Sequence, residues 1–309
     1  MSRSYAFRTS DVFTSHAYAG NQLGIITLPQ SNPLSQSDKQ KIAQEFNLSE
    51  TIFVHDPDTS TSPAHVVVDI FTPYSEIPFA GHPTIGAIHH ILTHLLPSHD
   101  KVIVDLKAGA VVGTLDRDTG FAAAEIPQEF HRHARTPGWD AVVASQPGLS
   151  GDGGKAEQLA LVSIVRGMNF MLVDLSEKPE MLTRVVVTKS DPATGDDLDE
   201  GWPQTLVGTL FYVRKDDRGD GVHRFDQRVV VIGLEDPATG SASCSFTAYL
   251  ALEMGGANAV HRFELIQGEQ MGRKSVIATE VTLDEGGKKI TKLMMSGQCK
   301  NVMKGEIEL

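Results

Sequence analysis

Apolar and polar positions roughly alternate from Ala6 to Phe13, and a compact apolar run follows from Leu23 to Leu28. Both patterns predict strands, with Ala19-Gly20-Asn21 as a tight turn between them. Ser35 with Asp38 resembles a capping box that opens a helix running to about Phe46, and Asn47 suits a left-handed exit. Glu50 heads the strand Thr51-Ile-Phe-Val54, and Ala64–Phe71 is a further β-rich run. Pro73–Pro83 then leads to a helix predicted over Thr84–Leu96, which Pro97 ends. Strands are predicted at Val102–Leu106 and Val111–Leu115.

The stretch from Pro127 to Lys155, rich in Pro, Gly, His and polar residues, reads as the crossing into a second domain. Strands near 159–165 and 169–173 and a short helix near 178–183 follow. Thr188–Gln204 is acidic, contains Gly and Pro, and reads as an exposed, structureless insertion. Strands near 206–213 and 228–232 precede a helix from about Ser243 to Glu253, and the tail returns to strands. At 309 residues two domains are expected, because a single core seldom grows beyond roughly 250 residues.

Charge narrows the partners. A net charge of −12 repels nucleic acid and anionic membrane surfaces alike. No apolar run approaches the roughly 20 residues that span a bilayer. Met1–Tyr5 lacks the apolar core of a secretory leader, and two cysteines make no disulfide framework. A cytoplasmic protein acting on a small molecule, with neither nucleic acid nor membrane as partner, is the resulting expectation.

The two halves repeat one arrangement of strand, Glu-x-Pro, small residues and apolar helix. It reads Glu76-Ile-Pro78-Phe-Ala-Gly-His-Pro-Thr84 in the first half and Glu235-Asp-Pro237-Ala-Thr-Gly-Ser-Ala-Ser243 in the second. Two unrelated strand-to-helix turns built from common turn residues account for so short a match equally well. A helix start presents unpaired N–H groups and a partial positive charge, and Gly81 and Gly240 let a ligand approach that backbone. Small residues also serve close packing, but His82, Asp236, Thr239 and Ser241 nearby favour a functional reading. Asp-Pro-Ala-Thr-Gly occurs twice, and the copy at Asp191–Gly195 runs into acidic residues with no apolar periodicity, so it reads as a loop.

Glu50 is the sharpest single candidate. Desolvation of a carboxylate heading an apolar strand raises its pKa towards the range useful for proton transfer, whereas an exposed strand-end glutamate is the plain alternative. Local pattern does not separate the two.

Asn47-Leu-Ser-Glu-Thr51, Phe79-Ala-Gly-His-Pro83 and Glu235-Asp-Pro-Ala-Thr-Gly-Ser-Ala242 occur in this order, accompanied by Gly20-Asn21 and Gln267-Gly268…Gly272-Arg273. Together they resemble the PhzF family, the phenazine-biosynthesis-like isomerases. The resemblance implies an α+β, diaminopimelate-epimerase-like fold of two pseudo-symmetric domains, each a sheet wrapped around a central helix. The expected boundaries are 1–126 plus a C-terminal strand at about 298–309, and 127–297 with the insertion at about 188–204. It also implies a cofactor-independent isomerase with no metal, a small carboxylate-bearing substrate held between the domains, and a homodimer. Glu50 then matches the acid/base glutamate, and His82 and Asp236 match residues that hold the substrate and assist transfer. Gly81, Gly240 and Ser241 match carboxylate-binding helix starts, with Asn21 at the mouth of the first-domain site and Thr239 beside them as a substrate-binding position.

Ala80 and Ala238 stand where diaminopimelate epimerases use cysteines, which argues against a two-thiol racemase. Cys244 lies about a turn and a half further on and is expected to pack inside. Gln22 in place of a proline, a shortened Arg228–Gly233 segment and the insertion depart from the family pattern and put the substrate in doubt. A one-base amino-acid epimerase and a catalytically silent binding or regulatory protein are the alternatives. His90 and His94 have i,i+4 spacing but no HExxH pattern, and read as partly exposed helix histidines. Ser150–Lys155 lacks phosphate-loop spacing and reads as a flexible turn, and His131-Arg-His133 as a charged loop.

Overall fold

The computed structural model describes residues 3–151, 153–231 and 233–309. Met1 and Ser2, Asp152 of the glycine-rich turn, and Ile232, the last residue of the strand predicted at 228–232, therefore lie outside the described residues. The chain divides into two compact units, Met1–Glu125 with Ser296–Leu309, and Ile126–Met295.

In the first unit β1 (Ser4–Val12), β2 (Asn21–Leu28), α1 (Gln36–Phe46), β3 (Glu50–His55), β4 (Ala64–Phe71) and β5 (Glu76–Ile77) precede α2 (Gly81–His90). A π-helical turn, Ile91–Leu95, prolongs α2, and β6 (Lys101–Leu106), β7 (Gly109–Leu115) and β8 (Ala122–Glu125) follow. Ser35 caps α1 by accepting from the Asp38 N–H, and Asn47 leaves it with φ of 49°. The helix packs Ile42 and Ala43 into a cluster with Tyr5, Ile26, Leu28, Phe53 and Phe71. In β4 burial follows the two-residue strand period, with Ala64, Val66, Val68 and Ile70 inward. The helix α2 is apolar nearly all round, and β1, β2, β3, β6, β7 and β8 contact it, so it is the buried axis of the unit. Gly86 is required on that axis, since a Cβ there would run into the Leu23 side chain.

In the second unit β9 (His131–Arg132), α3 (Trp139–Ser145), β10 (Leu159–Val165), β11 (Met168–Asp174), β12 (Leu206–Arg214), β13 (Val222–Val231) and β14 (Leu234–Asp236) precede α4 (Gly240–Met254). The strands β15 (Val260–Gln267), β16 (Ser275–Leu283) and β17 (Ile290–Gly297) as far as Met295 complete it. The axis is α4, contacted by β10, β11, β12, β15 and β16.

The internal repeat is present in the strand pairing. The succession β1, β2, β3, β4, β6, β7 pairs antiparallel, parallel, antiparallel, parallel, antiparallel, with β5 as a short hairpin partner of β4. The succession β10, β11, β12, β13, β15, β16 pairs in the same order, with β14 as the short partner of β13. In each unit the axial helix follows that short strand. The repeated glutamates anchor it. Glu76 accepts from Lys107 Nζ at 2.9 Å, and Glu235 takes Arg228 in a two-pronged pair at 2.7 and 2.6 Å.

The 127–155 stretch contains α3 and, in β9, a paired strand. Three expectations need correction. The 188–204 segment is anchored rather than structureless: Ala193 and Leu198 pack into the unit's apolar core, and Asp197 bonds back to the Thr194 N–H. Asp199 pins the same segment by accepting from His131 Nε2 at 2.7 Å, while Trp202 stacks on the His131 ring. The His131–His133 stretch is thus no free loop, and His133 is buried. Finally, His90 is buried rather than partly exposed, and desolvation pushes its pKa down to about 3.

Candidate active site

In the first unit the site is a product of strand register. β2 and β3 run parallel with Leu23 opposite Glu50, so their heads place Asn21 and Glu50 at the same end of the sheet. The turn before β2 depends on Gly20, whose φ of 65° is left-handed and whose Cβ would strike the Val12 carbonyl oxygen. The start of α2 brings His82 to the same place. Asn21 and His82 are 3% and 4% exposed.

Asn21 Nδ2 donates to His82 Nδ1 over 3.5 Å, and Ser49 Oγ donates to Asn21 Oδ1, also over 3.5 Å. An amide nitrogen can only donate, so Nδ1 accepts and the neutral imidazole carries its proton on Nε2. That nitrogen lies 3.6 Å from Glu50 Oε2. The Glu50 side chain is 17% exposed, and Oε2 makes no hydrogen bond among the described residues. Burial pushes the carboxyl above the ordinary glutamate value of 4.5, and a hydrogen bond from Ser49 opposes only part of that. The structure thereby decides what local sequence pattern left open, in favour of a desolvated glutamate.

This shift links the site to stability. The folded state holds the Glu50 proton more tightly than the unfolded chain, so the group favours folding below pH 4.5 and that advantage is lost as pH rises through the raised folded value. The variant Glu50→Gln, which cannot ionise, is expected to match the wild type near pH 4 and to melt higher at pH 7.5. Thermal melts at the two pH values check this.

The helix α2 starts without a side-chain cap, because its N-cap is Ala80. The N-cap Ala80 supplies no capping oxygen, and the start of α2 carries the positive end of the helix dipole. In the second unit α4 also lacks a side-chain cap. Its N-cap is Thr239, whose hydroxyl turns back to Asp236 Oδ2 at 2.7 Å, leaving Gly240 and Ser241 at an uncapped helix start. Asp236 ends β14 and is held there by pairing with Val229. Within the first unit Asn21, Gly81, His82 and Glu50 come together; within the second Asp236, Thr239, Gly240 and Ser241 do.

Two contributors carried no local signal of their role. Ser49 touches both Asn21 and Glu50. Gln267 bonds to Asp236 and Thr239, and only its place in the Gln267-Gly268 motif singled it out. Ala80 and Ala238 offer no thiol. Cys244 is buried with Sγ 4.0 Å from Met295 Sδ, and burial pushes its thiol up to about 12, so it packs as its spacing predicts.

Metal chemistry finds little support among the described residues. The His131, His133 and Asp199 group has ligand-like spacing. Yet His133 Nδ1 accepts from the Asp199 N–H and Nε2 meets Ser163 Oγ, which itself donates to Asn169. Both ring nitrogens of His133 are thus engaged, Nδ1 with the 188–204 segment and Nε2 with β10.

Compared with known families, residues 10–305 match the model for phenazine biosynthesis-like proteins. The chain belongs to the phenazine biosynthesis-like, or PhzC–PhzF, family. Among PhzF relatives, an uncharacterized isomerase of Mesorhizobium japonicum is 28% identical over 96% of both chains. A trans-2,3-dihydro-3-hydroxyanthranilate isomerase of Pseudomonas chlororaphis is 25% identical over 97% of this chain and 98% of its own. A crystal structure of a PhzF-family protein from Bacillus anthracis superposes with a TM-score of 0.77 at 20% identity, over 99% of each chain. PhzF membership makes the protein an isomerase with the α+β, epimerase-like fold that the motifs implied. Among the described residues no helix is long and apolar enough to cross a membrane.

Proposed function

We propose that this PhzF-family protein moves a proton by general acid/base catalysis on a small carboxylate-bearing metabolite, with Glu50 as the proton carrier. The observation that carries the reading is a buried carboxyl oxygen without a hydrogen bond among the described residues, 3.6 Å from His82 Nε2 and beside an uncapped helix start. A group in this position takes a proton readily once an activated C–H replaces the missing partner. His82, whose Nδ1 faces the Asn21 amide, is placed to donate from Nε2 to negative charge as it develops. The N–H groups of Gly81 and Gly240 are suited to a carboxylate, because a helix start needs no cation to bind an anion. Asp236, Thr239 and Ser241 are proposed to help hold the substrate, and no cofactor enters the scheme.

The PhzF relative from Pseudomonas chlororaphis supplies the first substrate to offer, trans-2,3-dihydro-3-hydroxyanthranilate. Migration of its double bond changes the ultraviolet spectrum, whereas a one-base epimerase inverts a carbon and leaves that spectrum alone. Cyclic and linear amino acids, screened first by thermal shift, are the second set, since a ligand that binds the native state raises its melting temperature. A spectral change or an inversion is expected with a member of these sets. Binding without either outcome contradicts catalysis and favours a binding protein.

A further inference from the structure

We infer that Gln267 is a positioning residue: it fixes the Asp236–Ser241 segment in the shape that binds substrate. The inference rests on the reading above that this segment holds the substrate. Gln267 ends β15 and is 1% exposed. Its Oε1 accepts from the Thr239 N–H at 3.1 Å and from Gln227 Nε2 at 2.8 Å. Its Nε2 donates to the Asp236 carbonyl at 2.7 Å and to Thr239 Oγ1 at 3.0 Å. A backbone N–H can only donate and a carbonyl can only accept, so these two partners alone fix which way the amide points.

One side chain thus replaces the two backbone contacts that a turn of this shape leaves unmade, on either side of Pro237 and Ala238. It also occupies the Thr239 N–H, and with it the Thr239 hydroxyl, so that the N-cap makes no capping bond and the first N–H groups of α4 stay uncapped. Gln227 is anchored in turn, donating to Ser243 Oγ in the first turn of α4 at 2.8 Å. Gly268 explains why the motif continues with glycine. Its φ is 76°, and a Cβ would lie 2.8 Å from the Pro237 carbonyl oxygen, so any side chain would push β15 off the segment it braces.

The test uses three forms of the full chain: wild type, Gln267→Leu and Gln267→Glu. Leucine fills a similar volume with no polar atom. A protonated glutamic acid retains one acceptor for the Thr239 N–H and one donor for the Asp236 carbonyl, and an ionised one turns lone pairs on that carbonyl. The readouts are Thr239 amide exchange by NMR and affinity for anthranilate, an amine-bearing carboxylate probe, each taken relative to wild type at the same pH. For Gln267→Leu, Thr239 is expected to exchange about tenfold faster, as losing a buried hydrogen bond of ordinary strength implies, and affinity to fall by a similar factor. For Gln267→Glu, affinity is expected near wild type at pH 5 and to fall away as the introduced carboxyl ionises. A purely space-filling role predicts no such rescue. Wild-type exchange in Gln267→Leu, or a Gln267→Glu variant as impaired at pH 5 as Gln267→Leu, overturns the inference. If the wild type does not bind the probe, the choice of ligand class fails, and Thr239 exchange still decides the role of Gln267.

Discussion

Replacing Glu50 with glutamine is expected to lower turnover by about 10²- to 10⁴-fold, the range that a positioned acid/base group supplies. The amide fills the same space and cannot carry a proton between carbons. Substrate affinity is expected to change little, because Glu50 Oε2 makes no hydrogen bond to lose among the described residues and the uncapped starts of α2 and α4 are untouched. The pattern to look for is a collapse of kcat with KM nearly unchanged. Steady-state kinetics on whichever substrate the spectral and inversion assays identify provides it. Loss through KM alone would mean that Glu50 binds rather than reacts.

The largest effect on stability is expected from Arg228→Ala. Arg228 and Glu235 are both buried, and the guanidinium also donates to the carbonyls of Leu182 and Val185 at 3.0 and 2.6 Å. Removing the arginine leaves a carboxylate and two carbonyls without their partner, a loss of about 3–5 kcal/mol for a buried pair broken on one side. Replacing both partners, as Arg228→Met with Glu235→Leu, removes the stranded charge and is expected to recover most of the loss. Both tryptophans of the chain, Trp139 and Trp202, belong to the second unit, so intrinsic fluorescence during urea unfolding follows that unit alone. A single variant that unfolds with the wild-type midpoint contradicts this account of the pair.

Much of the fold could be read locally because its determinants are local. Ser35, Asp38 and Asn47 bound α1 through bonds and a backbone conformation that involve only neighbours. The strand runs at 23–28, 64–71 and 206–213 announce themselves by β-branched and apolar residues whose partners lie on many sides. The epimerase-like α+β architecture followed from motif order and stands, and the repeated Glu-x-Pro marks the same short strand in both units. What escaped was set by distant contacts. α3 is seven residues long with only Val142 and Ser145 buried, too short to show a helical period. The 188–204 segment reads as solvated until His131 and the apolar core, far off in sequence, hold Asp199, Ala193 and Leu198.

The candidate site divides in the same way. Residue types and order singled out Asn21, Glu50, Gly81 and His82 in one unit and Asp236, Thr239, Gly240 and Ser241 in the other. Burial of the Glu50 carboxyl and the Nε2–H form of His82 depend on the parallel register of β2 and β3 and on the start of α2, which no local pattern contains. Gln267 is the clearest case: its neighbours in space are 28 and 31 positions away in sequence.

The proton itself offers the sharpest trial of the proposal. With the identified substrate in deuterated water, the wild type is expected to place solvent deuterium on the carbon that gains the proton, through exchange of the Glu50 carboxyl proton with water before its return, and Glu50→Gln to place none at a comparable rate. Product formed by Glu50→Gln with wild-type speed and wild-type deuterium content would remove Glu50 from the reaction and contradict the account.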